Sequence, residues 1–154
     1  MKILALAGIA LVLACGAETG SPEDQIRALL NEAELAAEAK DVAALKELIS
    51  DGYRDEHAND KAEVARLLAY LFFRHTTVHL LVRSEVPDFP TPGSARVRVF
   101  AVMTGTPLAS AADLAGLRAD LYRFDFEMTR EEDEWRVVGA DWDRARLGDF
   151  TEDP

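Results

Sequence analysis

The spacing of apolar residues changes once along this chain, and that change limits the folds open to it. Before His75, apolar residues recur every three or four positions, which predicts three amphipathic helices. From Val78 onward they alternate with polar residues in four runs, as in strands that have one buried face. Only hairpin-sized links separate these runs, so the strands must pair antiparallel. We therefore expect an α+β fold in which the N-terminal helices pack on one face of an antiparallel sheet of four or more strands.

Polar residues indicate where the helices begin and end. Ser21 can cap the first helix, and Asp41 can cap the second, which Gly52 is placed to stop. Asp60 and Glu63 have the spacing of a capping box for the third helix. The strand regions predicted after them are Val78–Glu85, Ala95–Thr104, Tyr122–Met128 and Trp135–Trp142. The proline-rich stretch between the first two strands is predicted to be a long turn.

The two faces of the predicted strands suggest different roles. Aromatic side chains and one methionine share a face of the third strand, which fits either a filled core or an apolar pocket for a small ligand. The residues expected to line such a pocket are Tyr122, Phe124, Phe126, Met128 and Trp142. The polar faces of the first and third strands carry His79, Arg83, Glu85, Arg123, Asp125 and Glu127. If these polar faces coincide, they form a cross-strand ion ladder or, alternatively, a surface that docks another protein.

The polar stretch before the third helix contains the candidates for acid–base chemistry. Asp55 is the candidate base, with His57 as its acid–base partner and Tyr53 as a hydrogen-bond donor. The alternative is structural, because loops and helix caps attract these residue types without any chemistry. On the last strand, Asp141 is a further candidate, since strict alternation puts it on the same face as Val137.

The sequence carries no convincing motif for a metal or a cofactor. His75 and His79 are four residues apart, but a helix ends and a strand begins between them, and a third ligand is missing. There is neither a phosphate-binding glycine loop nor a Gly-x-Ser-x-Gly nucleophile turn. The net charge of −11 argues against nucleic acid, whose phosphates are bound by basic patches. We therefore expect no cofactor, no metal and no nucleic-acid partner.

The first fifteen residues have the pattern of an export signal. Lys2 precedes an apolar run from Ile3 to Ala14, and Cys15, the single cysteine, follows it. The run is too short to span a bilayer, which takes about 20 apolar residues. The string Val12-Leu13-Ala14-Cys15 resembles a bacterial lipoprotein box, in which the cysteine becomes the new N-terminus and its thiol carries a diacylglycerol. The rival interpretation is plain secretion.

This resemblance predicts how the chain is divided and where it resides. Residues 1–14 are the expected signal, 15–21 a tether, 22–146 one domain and 147–154 an acidic tail. The tether spans at most roughly 20 Å, which holds the domain close to the bilayer. Gly16 stands where an acidic residue can retain lipoproteins in the inner membrane, so the resemblance favours the periplasmic face of the outer membrane.

Three segments carry a second resemblance: Ile26-Arg27-Ala28-Leu29-Leu30, Leu48-Ile49-Ser50-Asp51-Gly52-Tyr53 and the closing strand Glu134–Trp142. On these segments, the chain from Glu23 to Arg146 resembles the nuclear transport factor 2-like superfamily, which includes polyketide cyclases and ketosteroid isomerase. The resemblance implies a cone-shaped fold whose curved sheet and helices enclose a pocket, and a homodimer formed through the sheet. Since this fold hosts both enzymes and binding modules, it does not choose between them.

Together these features favour a binding protein of the cell envelope. We expect a lipid-anchored domain that binds a small apolar ligand or an envelope protein without catalysis. The alternative is a cofactor-independent acid–base enzyme of the isomerase, dehydratase or cyclase type.

Overall fold

The structure, a computed structural model, describes residues 20–108, 120–146 and 148–149. The predicted signal, Cys15 and most of the predicted tail lie outside the described residues. Within the described part, no helix is long and apolar enough to cross a bilayer.

In the described part of the chain, three helices precede five strands. The helices are α1 (Pro22–Glu38), α2 (Val42–Glu47) and α3 (Lys61–Arg74). The strands are β1 (His79–Ser84), β2 (Asp88–Thr91), β3 (Ser94–Thr104), β4 (Asp120–Glu131) and β5 (Glu134–Arg144). The sheet has the order β1-β3-β4-β5, with β2 also paired to β3, and every pair is antiparallel. The predicted α+β architecture is confirmed.

The predicted helix caps are present. The Ser21 hydroxyl accepts a hydrogen bond from the Asp24 backbone N–H at 3.2 Å, and the Asp24 carboxylate accepts one from the Ser21 N–H. Asp60 and Glu63 form the same reciprocal box at the start of α3. Each box satisfies backbone donors that the first turn of a helix leaves without partners.

The predicted end of the second helix was wrong. We expected α2 to continue until Gly52, but it ends at Glu47. The residues that follow run along the edge of β5, where the Ser50 N–H donates to the Val137 carbonyl at 2.9 Å and the Val137 N–H donates to the Leu48 carbonyl at 3.0 Å. These bonds to the sheet replace the bonds that would have continued the helix.

The proline-rich stretch is partly a strand rather than only a turn. Asp88 pairs with Arg96 and Thr91 with Ser94, so that β2 and β3 form a short hairpin. All four residues of β2 are exposed. Proline is tolerated on such an edge strand, because its missing N–H is not needed by a neighbour.

The helices pack on one side of the sheet, which we call the helix side; the other is the outer face. The main core on the helix side comprises Ile26, Leu29, Leu30, Leu48, Ile49, Tyr53, Ala95, Val97, Val99, Met128, Trp135 and Val137. A neighbouring cluster joins Phe72 of α3 to Val78 and Met103. On the outer face, Phe100 and Val102 are buried beside the partly buried Leu81, Leu108, Leu121 and Ala145.

A β-bulge in the last strand changes which side chains share a face. Val137 pairs with Met128, but Gly139 pairs with Glu127, so Val138 is an extra residue on β5. Alternation therefore reverses at this point. As a result, Trp142 lies on the same side as Val137, and the expectation that Asp141 shares that side was wrong.

Candidate functional site

The outer face contains a hollow of about 570 Å³ between two raised edges. Its floor consists of segments 96–98, 125–127 and 139–141, which are neighbours on β3, β4 and β5. One wall is segment 54–56, and the other is formed by Glu85, Val86 and Asp88. We call this hollow the trough.

Ion pairs cross the floor of the trough from strand to strand. Arg98 Nε lies 2.7 Å from Asp125 Oδ1, and Arg96 Nε lies 3.5 Å from Glu127 Oε1. On the other side of Asp125, Arg123 Nε approaches Oδ2 at 3.2 Å. The hydrogen bond to Asp125 raises the pKa of Arg98 against the opposing effect of burial. An ion ladder is therefore present, but it joins β3 to β4, and not β1 to β4 as expected, because β3 lies between those two strands. Its arginine partners on β3 were not among the sequence candidates.

The trough carries more negative than positive charge. Seven carboxylates and three guanidinium groups line it. Four of the acids, Glu56, Glu85, Asp88 and Asp141, make no ion pair and no side-chain hydrogen bond within the described residues. An open, walled surface with such a surplus attracts positively charged groups.

Gly139 allows one wall to pack directly against the floor. The Arg54 N–H donates to the Val138 carbonyl at 3.0 Å, which fixes segment 54–56 to the edge of β5. A Cβ atom at position 139 would lie 3.1 Å from the Arg54 carbonyl oxygen. This approach is tighter than most real Cβ contacts, so a larger residue would push the wall outward.

Asp55 organises the loop that leads from this wall to α3. Its Oδ1 accepts hydrogen bonds from the backbone N–H groups of His57 at 2.9 Å and Asn59 at 2.8 Å, and its Oδ2 accepts one from Asn59 Nδ2 at 2.9 Å. Burial raises the pKa of Asp55, but these hydrogen bonds and the nearby His57 outweigh it and hold the pKa below its usual range. The carboxylate is therefore held as an anion with its lone pairs engaged.

Tyr53 lies beside Asp55, as the sequence suggested. The tyrosine is only 2% exposed, and its hydroxyl interacts with the Asp55 carboxylate. Burial, followed by the negative charge of Asp55 and its polar interaction with the hydroxyl, raises the pKa of Tyr53 far above its usual value. The phenol is therefore a neutral group.

The side chains of the remaining candidates make other contacts. The His57 ring lies against the Trp142 indole, with ring centroids 5.2 Å apart. Asp60 caps α3, and Asp141 lines the trough. The structure therefore brings Tyr53 and Asp55 together but does not assemble one acid–base centre from the sequence candidates.

The aromatic row follows the helix side of β4. Tyr122 and Phe124 have ring centroids 6.1 Å apart, and Phe124 and Phe126 are stacked at 5.5 Å. Met128 is 1% exposed in the main core, and the two phenylalanines pack against that core. Much of the row therefore contributes to packing, and its role in holding a small apolar ligand stays a prediction.

Metal ligands are not grouped in the described part of the chain. No set of three or more histidine, cysteine, aspartate or glutamate side chains there is arranged to hold a metal ion.

Similarity to known proteins is found in structure rather than in sequence. No family model and no curated protein matches the chain. A nuclear transport factor 2-like protein of unknown function from Shewanella oneidensis superposes with a TM-score of 0.63 at 14% identity, covering 79% of this chain and 98% of that one. A ketosteroid isomerase-like protein from Erwinia carotovora gives 0.62 at 12% identity, over 82% and 98%.

A third similar structure is provisionally named a scytalone dehydratase, from Novosphingobium aromaticivorans. It superposes with a TM-score of 0.66 at 9% identity, covering 80% of this chain and 83% of that one. Identities this low show the fold alone. The fold of this chain is nuclear transport factor 2-like, as the sequence resemblance implied, and the activities of these three proteins are not carried over.

Proposed function

We propose that this chain is a lipid-anchored binding domain of the bacterial cell envelope, and that the trough holds a positively charged segment of a protein partner. The observation that carries the proposal is the trough itself: a walled hollow of about 570 Å³ with seven carboxylates and three guanidinium groups. Pockets of this volume commonly hold ligands. The polar lining favours a polar, cationic occupant over an apolar one.

The state of the acids favours binding over acid–base catalysis. A general base must have a free lone pair and a pKa near the working pH. Asp55 meets these requirements poorly, since its oxygens already accept three hydrogen bonds and its pKa is lowered. Asp125 and Glu127 are paired with arginines on the trough floor. The isomerase, dehydratase or cyclase alternative therefore has less support from the site.

The lipid anchor rests on the sequence around Cys15. If the thiol carries a diacylglycerol, the partner should be another envelope protein within reach of the membrane. To test this part, cells expressing the wild-type chain or Cys15→Ala are fractionated, and the mature proteins are weighed by mass spectrometry. We expect the wild type in the membrane fraction with an acyl addition and the variant in the soluble fraction. A soluble wild type without added mass would overturn the anchor.

The trough is tested with defined peptides. A labelled peptide of alternating glycine and arginine should bind the purified chain, and binding should weaken steeply with salt, whereas a glycine–glutamate peptide should not bind. Glu56→Gln combined with Asp141→Asn removes two unpaired trough charges and should weaken binding at least tenfold. The matched control, Glu32→Gln with Asp133→Asn, also removes two negative charges, but from residues outside the trough. Equal losses in both variants, or no preference for the cationic peptide, would refute the proposal.

A further inference from the structure

Helix α3 presents large apolar side chains to solvent on the side away from its core contacts. Leu67 is 48% exposed, Tyr70 60% and Phe73 89%. Because these residues are spaced three apart, they follow one side of the helix. The apolar residues of α3 that pack into the two helix-side clusters are Val64, Leu68, Leu71 and Phe72. The helix is therefore apolar on two sides, and only one of them packs against the core of the described fold.

We infer that the Leu67–Tyr70–Phe73 stripe lies against a lipid bilayer, as a second membrane contact beside the proposed lipid anchor. Arginines accompany the stripe, as in helices that lie in a membrane interface. The Arg74 guanidinium lies 5.7 Å from the centre of the Tyr70 ring, and its Nη1 donates to the Tyr70 hydroxyl at 3.1 Å. Arg66, whose side chain is 70% exposed, lies beside Leu67. Aromatic rings and arginines together suit the boundary between headgroups and acyl chains.

The position of the anchor explains why a bilayer, rather than another occupant, is available to this face. Pro22 begins α1 seven residues after Cys15, so the lipid would hold the domain within a few tens of ångströms of the membrane. Helices α1 and α3 pack on the same side of the sheet, since Val64 contacts the cluster that contains Ile26. The trough is on the opposite side of the sheet. Contact through α3 would therefore leave the trough facing away from the membrane and open to a partner.

The distribution of charge removes an objection to this contact. The net charge of −11 argues against a domain lying on an anionic membrane. The unpaired acids Glu56, Glu85, Asp88 and Asp141, however, line the trough on the outer face. Helix α3 carries three basic residues, Lys61, Arg66 and Arg74, against one acid, Glu63. Lys61 is paired with Asp51 at 2.8 Å and Arg66 with Glu63 at 3.6 Å, so Arg74, beside Tyr70, is the cation of α3 that has no acidic partner in the described part of the chain. The helix itself adds no net negative charge to this contact.

The test separates this contact from the lipid anchor. The mature chain, residues 15–154 without the apolar signal, carrying Cys15→Ala is mixed with phosphatidylcholine vesicles, with and without phosphatidylglycerol, and the bound fraction is measured by flotation. We expect weak binding to both, which Phe73→Ser reduces at least fivefold. The control is Val86→Ser, because Val86 is 76% exposed but lies on the trough wall, and this change should leave vesicle binding intact.

Two results would overturn the inference. One is equal vesicle binding by Cys15→Ala with and without Phe73→Ser. The other is self-association of Cys15→Ala in sedimentation that Phe73→Ser abolishes, since that would make the stripe an interface between two copies. Because the anchoring cysteine is absent throughout, neither result depends on whether Cys15 is lipidated, which fractionation of the wild type decides separately.

Discussion

Asp141 lies directly opposite Asp125 across the β4–β5 pair, with both carboxylates on the trough face. Asp125 is paired with Arg98 at 2.7 Å and Arg123 at 3.2 Å but stays ionised, whereas Asp141 has no ion pair within the described residues. Like charges placed directly opposite on a sheet destabilise the fold. An unpaired charge with such a cost is what we expect at a site that recognises a cationic partner.

Removing this charge should stabilise the protein. We expect Asp141→Asn to raise the free energy of unfolding by about 0.2–1 kcal/mol in urea at low salt, since it relieves the repulsion from Asp125. The gain should shrink at high salt, which screens exposed charges. Asp143→Asn is the control, because Asp143 is paired with Arg123 at 3.1 Å and should not gain stability when neutralised. A destabilised Asp141→Asn would mean that the carboxylate has a partner in the folded chain.

Gly139 is expected to be sensitive to even the smallest side chain. The Cβ of Gly139→Ala would lie 3.1 Å from the Arg54 carbonyl oxygen, and a backbone atom cannot move aside as a flexible side chain can. We expect a loss of about 1–3 kcal/mol in unfolding free energy, as for other overpacked positions. Gly93→Ala, whose Cβ would meet nothing within 4 Å, should change stability by less than about 0.5 kcal/mol. Equal effects of the two substitutions would contradict the packing of the wall on the floor.

The fold could be predicted from the sequence because its signals are local. The capping boxes at Ser21 and Asp60 each use residues three apart, and strand alternation in β1, β3 and β4 is uninterrupted. The errors came from long-range contacts. The end of α2 depends on Val137, almost ninety residues away, and pairing with β3 converts part of a proline-rich segment into β2.

The candidate site was only partly predictable, for the same reason. The Tyr53–Asp55 pair lies within one loop and was found from composition and spacing. The trough depends on the register that places Arg96 beside Glu127 and Arg98 beside Asp125, and on the bulge at Val138 that moves Asp141 to the outer face. Neither register nor bulge has a local signature in this chain. Arg96 and Arg98, two residues apart on β3, were the available signal of a charged strand face.

Asp55 should make stability depend on pH in the acid range. Because its pKa is lowered in the folded protein, its contribution is present above the ordinary value, near pH 4, and is lost as the pH falls through the folded value. We expect Asp55→Asn to be about 1 kcal/mol less stable than the wild type at pH 7, because the amide weakens the bonds from Asn59.

The difference between Asp55→Asn and the wild type should shrink below about pH 4, as urea unfolding across this range would show. Glu56→Gln provides the neighbouring control, since Glu56 makes no side-chain hydrogen bond within the described residues. A difference in unfolding free energy that stays constant down to pH 2.5 would show that the charge of Asp55 does not stabilise the loop.

Tyr53 should make stability depend on pH at the alkaline end, with the opposite sign. Its pKa is raised in the folded protein, so the phenol stays neutral there while the unfolded chain ionises above about pH 10. The stability contributed by Tyr53 is therefore complete below pH 10 and falls as the pH rises further. Tyr53→Phe lacks the ionising group, and at pH 8 it should lose about 1 kcal/mol with the polar interaction between the hydroxyl and Asp55. Urea unfolding from pH 8 to 11 should show the unfolding free energies of wild type and variant converging, because every other group titrates in both. A constant difference between them would mean that the Tyr53 hydroxyl reaches water in the folded state.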